Sequence, residues 1–431
     1  MKRIISIALL LSFACTMMQA QDARALIGED PLRAANIHHR YEPPQSVYDT
    51  PAPAGWEPFY ISHYGRHGSR YMTSMTPVVR VSRLLDTLSA CGMLTFEGER
   101  LHRDIRALEE AHSGMAGYLT QRGAREHQGV SQRMFERYPQ VFSQPSRTKV
   151  MAASSIFPRC IQSMSNFALQ LKGNAPQLDI SLLTGQRYMD YILREPTEPR
   201  AASHKAVPDS VLHAVFDPSH VMSAWFRNPA AVEESGLLGS YDAAQFAYNV
   251  YYAGGIVQCL DEDLPSVYDY FTSDELYRLW LADNVSEYDA YCISIENAGR
   301  MAITGRTILK DIVEKADEAV AGNDRAADLR FGHDSGLLPL ICVMGLEGNS
   351  ETLGMTEASA HGWYCFEQMP MCSSVQMVFY RNPRSDTVLV KILRNERETS
   401  IPALKPFSGP YYKWDELRRH LVEKCAEAGI D

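Results

Sequence analysis

The chain has 431 residues, 45% hydrophobic, 22% charged and 10% aromatic, with 27 Gly and 23 Pro spread throughout. That balance excludes a disordered, collagen-like or fibrous chain, and at about 100–200 residues per domain it allows two or three core-forming units. The net charge of −10 excludes a non-specific nucleic-acid binder, because such binding rests on excess Lys and Arg set against phosphates, so an anionic ligand would need a local cationic pocket.

Residues 1–20 read as a targeting segment. Lys2 and Arg3 precede an apolar run from Ile4 to Cys15, and Ala20-Gln21 offers a cleavage point. This pattern matches a secretory signal peptide and is too short for a membrane span. A lipoprotein signal acylated at Cys15 competes with it, although Phe13 is bulky where small residues are expected. Cleavage would remove two cations and leave the chain at −12. The expected location is therefore the periplasm or the exterior, with no membrane span. Eight cysteines remain: Cys91, Cys160, Cys259, Cys292, Cys342, Cys365, Cys372 and Cys425. An exported protein could pair them into as many as four disulfides, and buried free thiols are the alternative.

Residues 21–56 are rich in Pro and Ala and read as an extended N-terminal arm, with His38 and His39 solvated. Phe59 to Tyr64 is a short apolar and aromatic run, hence a buried strand. Helices follow over Leu101 to Met115 and Gly123 to Tyr138. Lys149 to Ser154 reads as a strand and Arg159 to Leu171 as the helix after it. From about 185 to 295 no strand is expected, only aromatic-rich helical pieces such as Ala244 to Leu260 and Ser273 to Asp283. A helix then places Met301, Ile308, Ile312 and Ala316 on one face, with Gly305 filling the gap. Leu329 to Gly332 is a strand, Gly336 to Leu346 a helix, and Val375 to Tyr380 with Thr387 to Leu393 a hairpin around Asn382-Pro383-Arg384-Ser385. A helix from Asp415 to Ala428 closes the chain. The expected fold is α/β, a mainly parallel sheet flanked by helices with an all-α insertion. Its division is a signal peptide (1–20), an arm (21–56), a core (57–185 and 296–431) and a helical cap (186–295).

The chemistry gathers where strands end. After the first strand stand Arg66-His67-Gly68-Ser69-Arg70. Two arginines beside a histidine make an anion site, since the planar guanidinium binds phosphate oxygens in pairs. A later strand ends in Gly332-His333-Asp334-Ser335-Gly336, and Ser154 to Arg159 repeats the layout with one more arginine. In an open α/β sheet such loops line one edge, where ligands bind. Together they define a reaction. A neutral imidazole, His67, attacks phosphorus and forms a phosphohistidine. Arg66, Arg70 and Arg159 stabilise the transferring group without a metal, and Asp334 protonates the leaving alkoxide, which favours acid pH. No cofactor and no metal are expected. No Cys/His cluster has zinc spacing.

These blocks resemble the histidine acid phosphatases, the branch containing phytases and multiple inositol polyphosphate phosphatases. Arg66 to Arg70 with Thr73 is similar to the family's RHGxRxPT motif, with Met72 in place of its proline. Gly117 to Gly123, running on to Arg137-Tyr138, is similar to its G-x-L-T-x-x-G block, and His333-Asp334 to its HD dipeptide. The resemblance spans about residues 58–340. It implies that His67 is the nucleophile, Asp334 the proton donor, and Arg66, Arg70, Arg159 and His333 the phosphate ligands. Multiple inositol polyphosphate phosphatases usually carry His-Ala-Glu where this chain has His333-Asp334-Ser335. The wording around Tyr60 to Gly65 and Ala327 to Phe331 is nevertheless most like their bacterial relatives. The implied function is an exported, monomeric phosphomonoesterase acting on a small anionic ester, phytate or another inositol polyphosphate. A broad-specificity or sugar-phosphate acid phosphatase is the alternative, and a phosphomutase or a non-catalytic anion-binding protein the remoter ones.

Other residues carry weaker signals. His63, four before His67, reads as a packed histidine rather than a ligand, and Tyr248, Tyr251 and Tyr252 as cap core. Arg194, Arg200, His204 and Lys205 form a basic stretch that would suit a polyphosphate rim.

Overall fold

The apolar run at Phe59 forms β1, Glu57–Arg66, in which every residue from Phe59 onward is buried. Burial on both faces explains why the run is continuous rather than alternating. The computed structural model describes residues 22–45, 49–193 and 207–426. The signal-peptide reading, with Cys15, and the basic stretch at Arg194, Arg200, His204 and Lys205 lie outside them. In chain order the main elements are α1 (Ala23–Glu29), β1, α2 (Thr76–Ala90), α3 (Phe96–Ala111), α4 (Gln121–Arg137), β2 (Lys149–Ser154), α5 (Pro158–Asn174) and β3 (Asp179–Thr184). Then come α6 (Ala243–Gly254), α7 (Ser273–Tyr291), α8 (Arg306–Ala321), β4 (Arg325–Gly332) and α9 (Asp334–Met344). The chain closes with β5 (Ser374–Asn382), β6 (Ser385–Arg394), β7 (Arg397–Glu398), β8 (Tyr411–Lys413) and α10 (Trp414–Ala426).

The strands form one mixed sheet in the order β3-β2-β4-β1-β5-β6-β7, with β8 on β6. Neighbours among β3, β2, β4 and β1 are parallel, and the pairs from β1–β5 outward are antiparallel. The α/β expectation holds, with the predicted hairpin β5–β6 supplying an antiparallel wing. One face is covered through Val130, Met134, Phe167 and Leu171 of α4 and α5. The other is covered through Ile308, Ile312, Leu337, Ile341, Leu417 and Leu421 of α8, α9 and α10. A separate core of α2, α3, α6 and α7 gathers around Leu85, Leu101, Trp225, Phe246 and Trp280. Capping boxes at Asp242/Gln245 and Thr272/Glu275 start α6 and α7.

The structure changes several expectations. The arm is not extended. Asp22 and Asp30 cap α1 and a 3-10 turn, Pro31–His38, whose start Pro31 favours. Its apolar residues Leu26, Ile27, Ala34 and Ala35 join the helical core. Asn36 Nδ2 donates to Asp283 Oδ2 at 2.9 Å, and Gln258 Nε2 to Leu32 O at 3.0 Å. His38 and His39 are consequently 2% and 5% exposed, not solvated. Met301 precedes α8 rather than belonging to it, because Gly305 begins that helix at a contact with α9. A Cβ on Gly305 would lie 2.5 Å from Leu340 N. β3 escaped notice because an edge strand without a fully buried residue shows no apolar run. The eight cysteines downstream of Cys15 are all free thiols.

Candidate active site

Parallel strands deliver their C-terminal ends to one edge. Arg66 of β1 pairs with Gly332 of β4, and Ser154 of β2 with Phe331 of β4. The ladder continues one step beyond the strands: His67 N donates to Gly332 O at 3.0 Å and Ser155 N to Phe331 O at 3.1 Å. All six sequence-predicted residues, Arg66, His67, Arg70, Arg159, His333 and Asp334, meet at this edge.

The turn after β1 is locked from below by Ser163 and Glu126, which the sequence reading missed, and by Thr120 of the Gly117 to Gly123 block. Gly68 N donates to Ser163 Oγ at 3.2 Å. Ser69 N and Oγ both donate to the Glu126 carboxylate at 2.7 Å. Thr120 caps α4 through Gly123 N and also donates its hydroxyl to Ser69 O at 3.0 Å. This docking demands glycine twice. A Cβ on Gly68 would lie 2.6 Å from Gly123 O, and one on Gly123 only 2.1 Å from Ser69 O. Met72, in the motif's proline position, is buried beside Tyr71 and Met371. The spacing between Glu126 and Ser69 carries no local signal, since the two meet only when α4 docks.

His67 is 1% exposed. Its Nδ1 lies 2.9 Å from Gly68 O. A carbonyl only accepts, so Nδ1 bears the proton and Nε2 the lone pair. Burial, and then Arg159, Arg66, Arg70 and His333, hold its pKa well below the ordinary histidine range, so the ring is neutral. Arg66 is fully buried, and its Nη1 donates to Met369 O at 2.6 Å. Its Nη2 stands 2.9 Å from Asp334 Oδ2, an ion pair poorly directed as a hydrogen bond. Arg70 Nη1 donates to Tyr71 O at 3.1 Å. The Nε atoms of Arg66, Arg70 and Arg159 are buried without a protein acceptor. Unmet donors of this kind are costly unless an anion takes them.

His333 caps α9. Arg159 Nη2 donates to its Nδ1 at 3.2 Å, while its Nε2 pairs with Ser155 Oγ at 2.9 Å. It therefore serves here as the hinge of Arg159. Burial and Arg159 lower its pKa to about 3. Asp334 sits in the first turn of α9, where its Oδ1 accepts from Ser335 N at 2.7 Å. Burial pushes its pKa up, but Arg66, His333 and Arg70 outweigh burial and hold it below the usual carboxylate range. The ligand-free acid is therefore ionised. The cause is the Arg66 contact, which only the fold reveals.

Two more groups join the site from outside the motifs. Burial first, then Arg70 and Arg66, hold the imidazole of His38, from the arm, well below the ordinary histidine range, with Asp334 opposing. Burial pushes the hydroxyl of Tyr252 of α6 up, with Arg70 opposing and Asp283, Glu287 and Asp334 adding to it, and its ring meets His38 edge-on at 5.1 Å. His63, as expected, is packed, between Phe167 and Phe331. Among the described residues no group of three or more His, Cys, Asp or Glu is placed to hold a metal ion, and no helix is long and apolar enough to cross a membrane.

No family model matches the chain, and no curated protein does. Solved structures do. The multiple inositol polyphosphate phosphatase of Bifidobacterium longum, in complex with inositol hexasulfate, superposes with a TM-score of 0.75 at 19% identity over 90% of this chain and 97% of that one. The phytase from D. castellii gives 0.67 at 15% identity over 92% and 85%, and Hafnia alvei phytase in complex with tartrate 0.51 at 14% over 87% and 99%. At such identities a likeness establishes architecture, and the chain has the histidine acid phosphatase fold.

Proposed function

We propose that the protein is a phosphomonoesterase that works through a phosphohistidine, with inositol polyphosphates as its substrate class. The observation that carries this reading is the pairing of a neutral His67, its Nε2 lone pair defined by the bond from Nδ1 to Gly68 O, with Arg66, Arg70 and Arg159 around one spot. A buried, uncharged imidazole among three cations suits attack on a phosphoryl group whose charge the cations already neutralise. His67 Nε2 forms the N–P bond as the ester P–O bond breaks, and the leaving oxygen takes a proton. Asp334 is the group placed to give that proton, although it is ionised beside Arg66 in the free protein. A phosphate group that engages Arg66 removes the charge holding Asp334 down, and a substrate binding as its monoanion brings the proton along. Asp334, left as carboxylate, then takes the proton of the water that cleaves the N–P bond.

The substrate class is supported by the Bifidobacterium longum protein, which is a multiple inositol polyphosphate phosphatase and shares this fold. In this reading the sheet unit of residues 57–185 and 296–431 carries the chemistry, residues 186–295 cap it, and residues 1–20 direct export. The test is phosphate release from inositol hexakisphosphate, glucose 1-phosphate and p-nitrophenyl phosphate. Preference for the first is expected. Equal rates on all three would favour a broad acid phosphatase, and release from none would overturn the reading.

A further inference from the structure

The N-terminal arm enters the site through His38. Its Nε2 is buried with no hydrogen-bond partner in the protein. A hydrogen-bonding group left unmet inside a fold calls for a reason, because satisfying it with water outside would be cheaper. The arm around it is held firmly. Cys259 Sγ donates to His38 O at 3.1 Å, and Met371 N to His39 O at 2.7 Å. The same short segment reaches the turn after β1, since Cys372 N donates to His67 O at 2.9 Å and Met369 O accepts from Arg66. Residues 369–372 thus tie His38 and His67 to one frame.

The neighbours of His38 show what it faces. Tyr252 meets it edge-on from α6, and both side chains lie within electrostatic reach of Arg70 and Asp334. Arg70 and Arg66 together with burial keep the imidazole neutral, so it meets an incoming oxygen as a hydrogen-bonding group and not as another cation. Tyr252 is half-buried, its ring packed against the cluster of Tyr71, Met72 and Met371. Two polar groups from two separate elements therefore stand beside the turn after β1, His38 on the frame that also holds His67 and Tyr252 against the Tyr71 and Met72 that follow Arg70.

We propose that His38 and Tyr252 form a specificity wall that hydrogen-bonds the alcohol portion of the substrate, the hydroxyl and phosphoryl oxygens of a polyol beyond the scissile bond. This rests on the phosphatase reading and deepens it. The phosphoryl cradle of Arg66, Arg70 and Arg159 accepts any monoester. The wall favours esters whose alcohol carries oxygens for it and gives nothing to an aryl leaving group.

The experiment compares kcat and KM for inositol hexakisphosphate and p-nitrophenyl phosphate in the full chain, using His38→Ala, His38→Gln and Tyr252→Phe. Thermal melting establishes that each variant is folded. His38→Ala should lower kcat/KM for inositol hexakisphosphate about tenfold more than for p-nitrophenyl phosphate, mostly through KM, the scale expected for one hydrogen bond to a charged oxygen. His38→Gln, which keeps an N–H near the position of Nε2, should recover most of that selectivity. Tyr252→Phe keeps the contact with His38 and should shift selectivity the same way by a few-fold. Parallel losses on both substrates in all three variants would make the pair structural and overturn the proposal alone. So would unchanged selectivity in folded variants. A wild type that hydrolyses neither substrate would overturn the phosphatase reading and this proposal together.

Discussion

The strand edge and the N-terminal arm bring histidines to the same site by opposite routes. His67 and His333 stand at the ends of adjacent parallel strands, their backbones joined by the bond from His67 N to Gly332 O. His38 arrives on a segment that neither belongs to the sheet nor shows a sequence period. The first route places groups by register, which a parallel sheet fixes for every strand at once. The second places a group by docking, through Asn36 on Asp283 and Met371 on His39. The two routes should respond differently to mutation.

The largest effect belongs to the strand edge. His67→Ala should leave a folded protein whose phosphate release falls by several orders of magnitude, as for loss of other covalent nucleophiles. Alkaline quench of the wild type during turnover of a labelled substrate, under which the acid-labile N–P bond survives, should trap label on protein, and the variant should trap none. Activity near wild type in His67→Ala would remove the phosphohistidine and with it the meaning of the strand edge.

That the strand edge was legible in sequence follows from how it is made. Arg66 to Arg70 and Gly332 to Gly336 are contiguous, and each follows an apolar run that announces its strand. Glu126 and Ser163, which support the turn after β1, are separated from it by long stretches and have no pattern of their own. His38 was assigned to solvent because residues 21–56 are rich in Pro and Ala and weakly periodic. The apolar Leu26, Ile27, Ala34 and Ala35 that sink the arm are too few and too unevenly spaced to read as a buried helix. The ionised state of Asp334 was equally beyond reach, since it depends on Arg66 lying across the edge from it.

Asp334→Asn comes next in size. With the proton donor gone, hydrolysis of an alkyl phosphate such as an inositol phosphate should fall about 10²–10³-fold, and that of p-nitrophenyl phosphate, whose leaving group needs little help, far less. Equal losses on both would mean that Asp334 serves mainly to hold Arg66. Gly123→Ala tests the docking of α4 beneath the edge. Its Cβ cannot fit 2.1 Å from Ser69 O, so the turn carrying His67 must shift. A displacement of about 1 Å can cost about 10²-fold in rate. A loss of stability should accompany it, read from the urea midpoint, and full activity would show that the turn tolerates sliding on α4.

The smallest effect separates two buried histidines that look alike. His38 and His63 both have ring nitrogens without protein partners, but His63 faces Phe167 and Phe331, whereas His38 faces charges. Burial, with His127 and Arg330, lowers the pKa of His63 to about 3. Its unfolded value is about 6.5, so between these values the unfolded chain binds a proton that the folded ring refuses. Stability is therefore lost as pH falls from about 6.5 towards 3, by about 1.4 kcal/mol per unit for this one group. His63→Leu removes the linkage while filling a similar volume. Relative to wild type it should change little at pH 7 and gain about 2–3 kcal/mol at pH 4.5, read from urea unfolding at both values. Substrate selectivity should not move, because no substrate group reaches a ring enclosed by phenylalanines. If the two proteins lose stability in parallel on acidification, the His63 ring finds a proton or a partner inside the fold. Burial alone would then not distinguish the packed histidine of the strand from the working histidine of the arm.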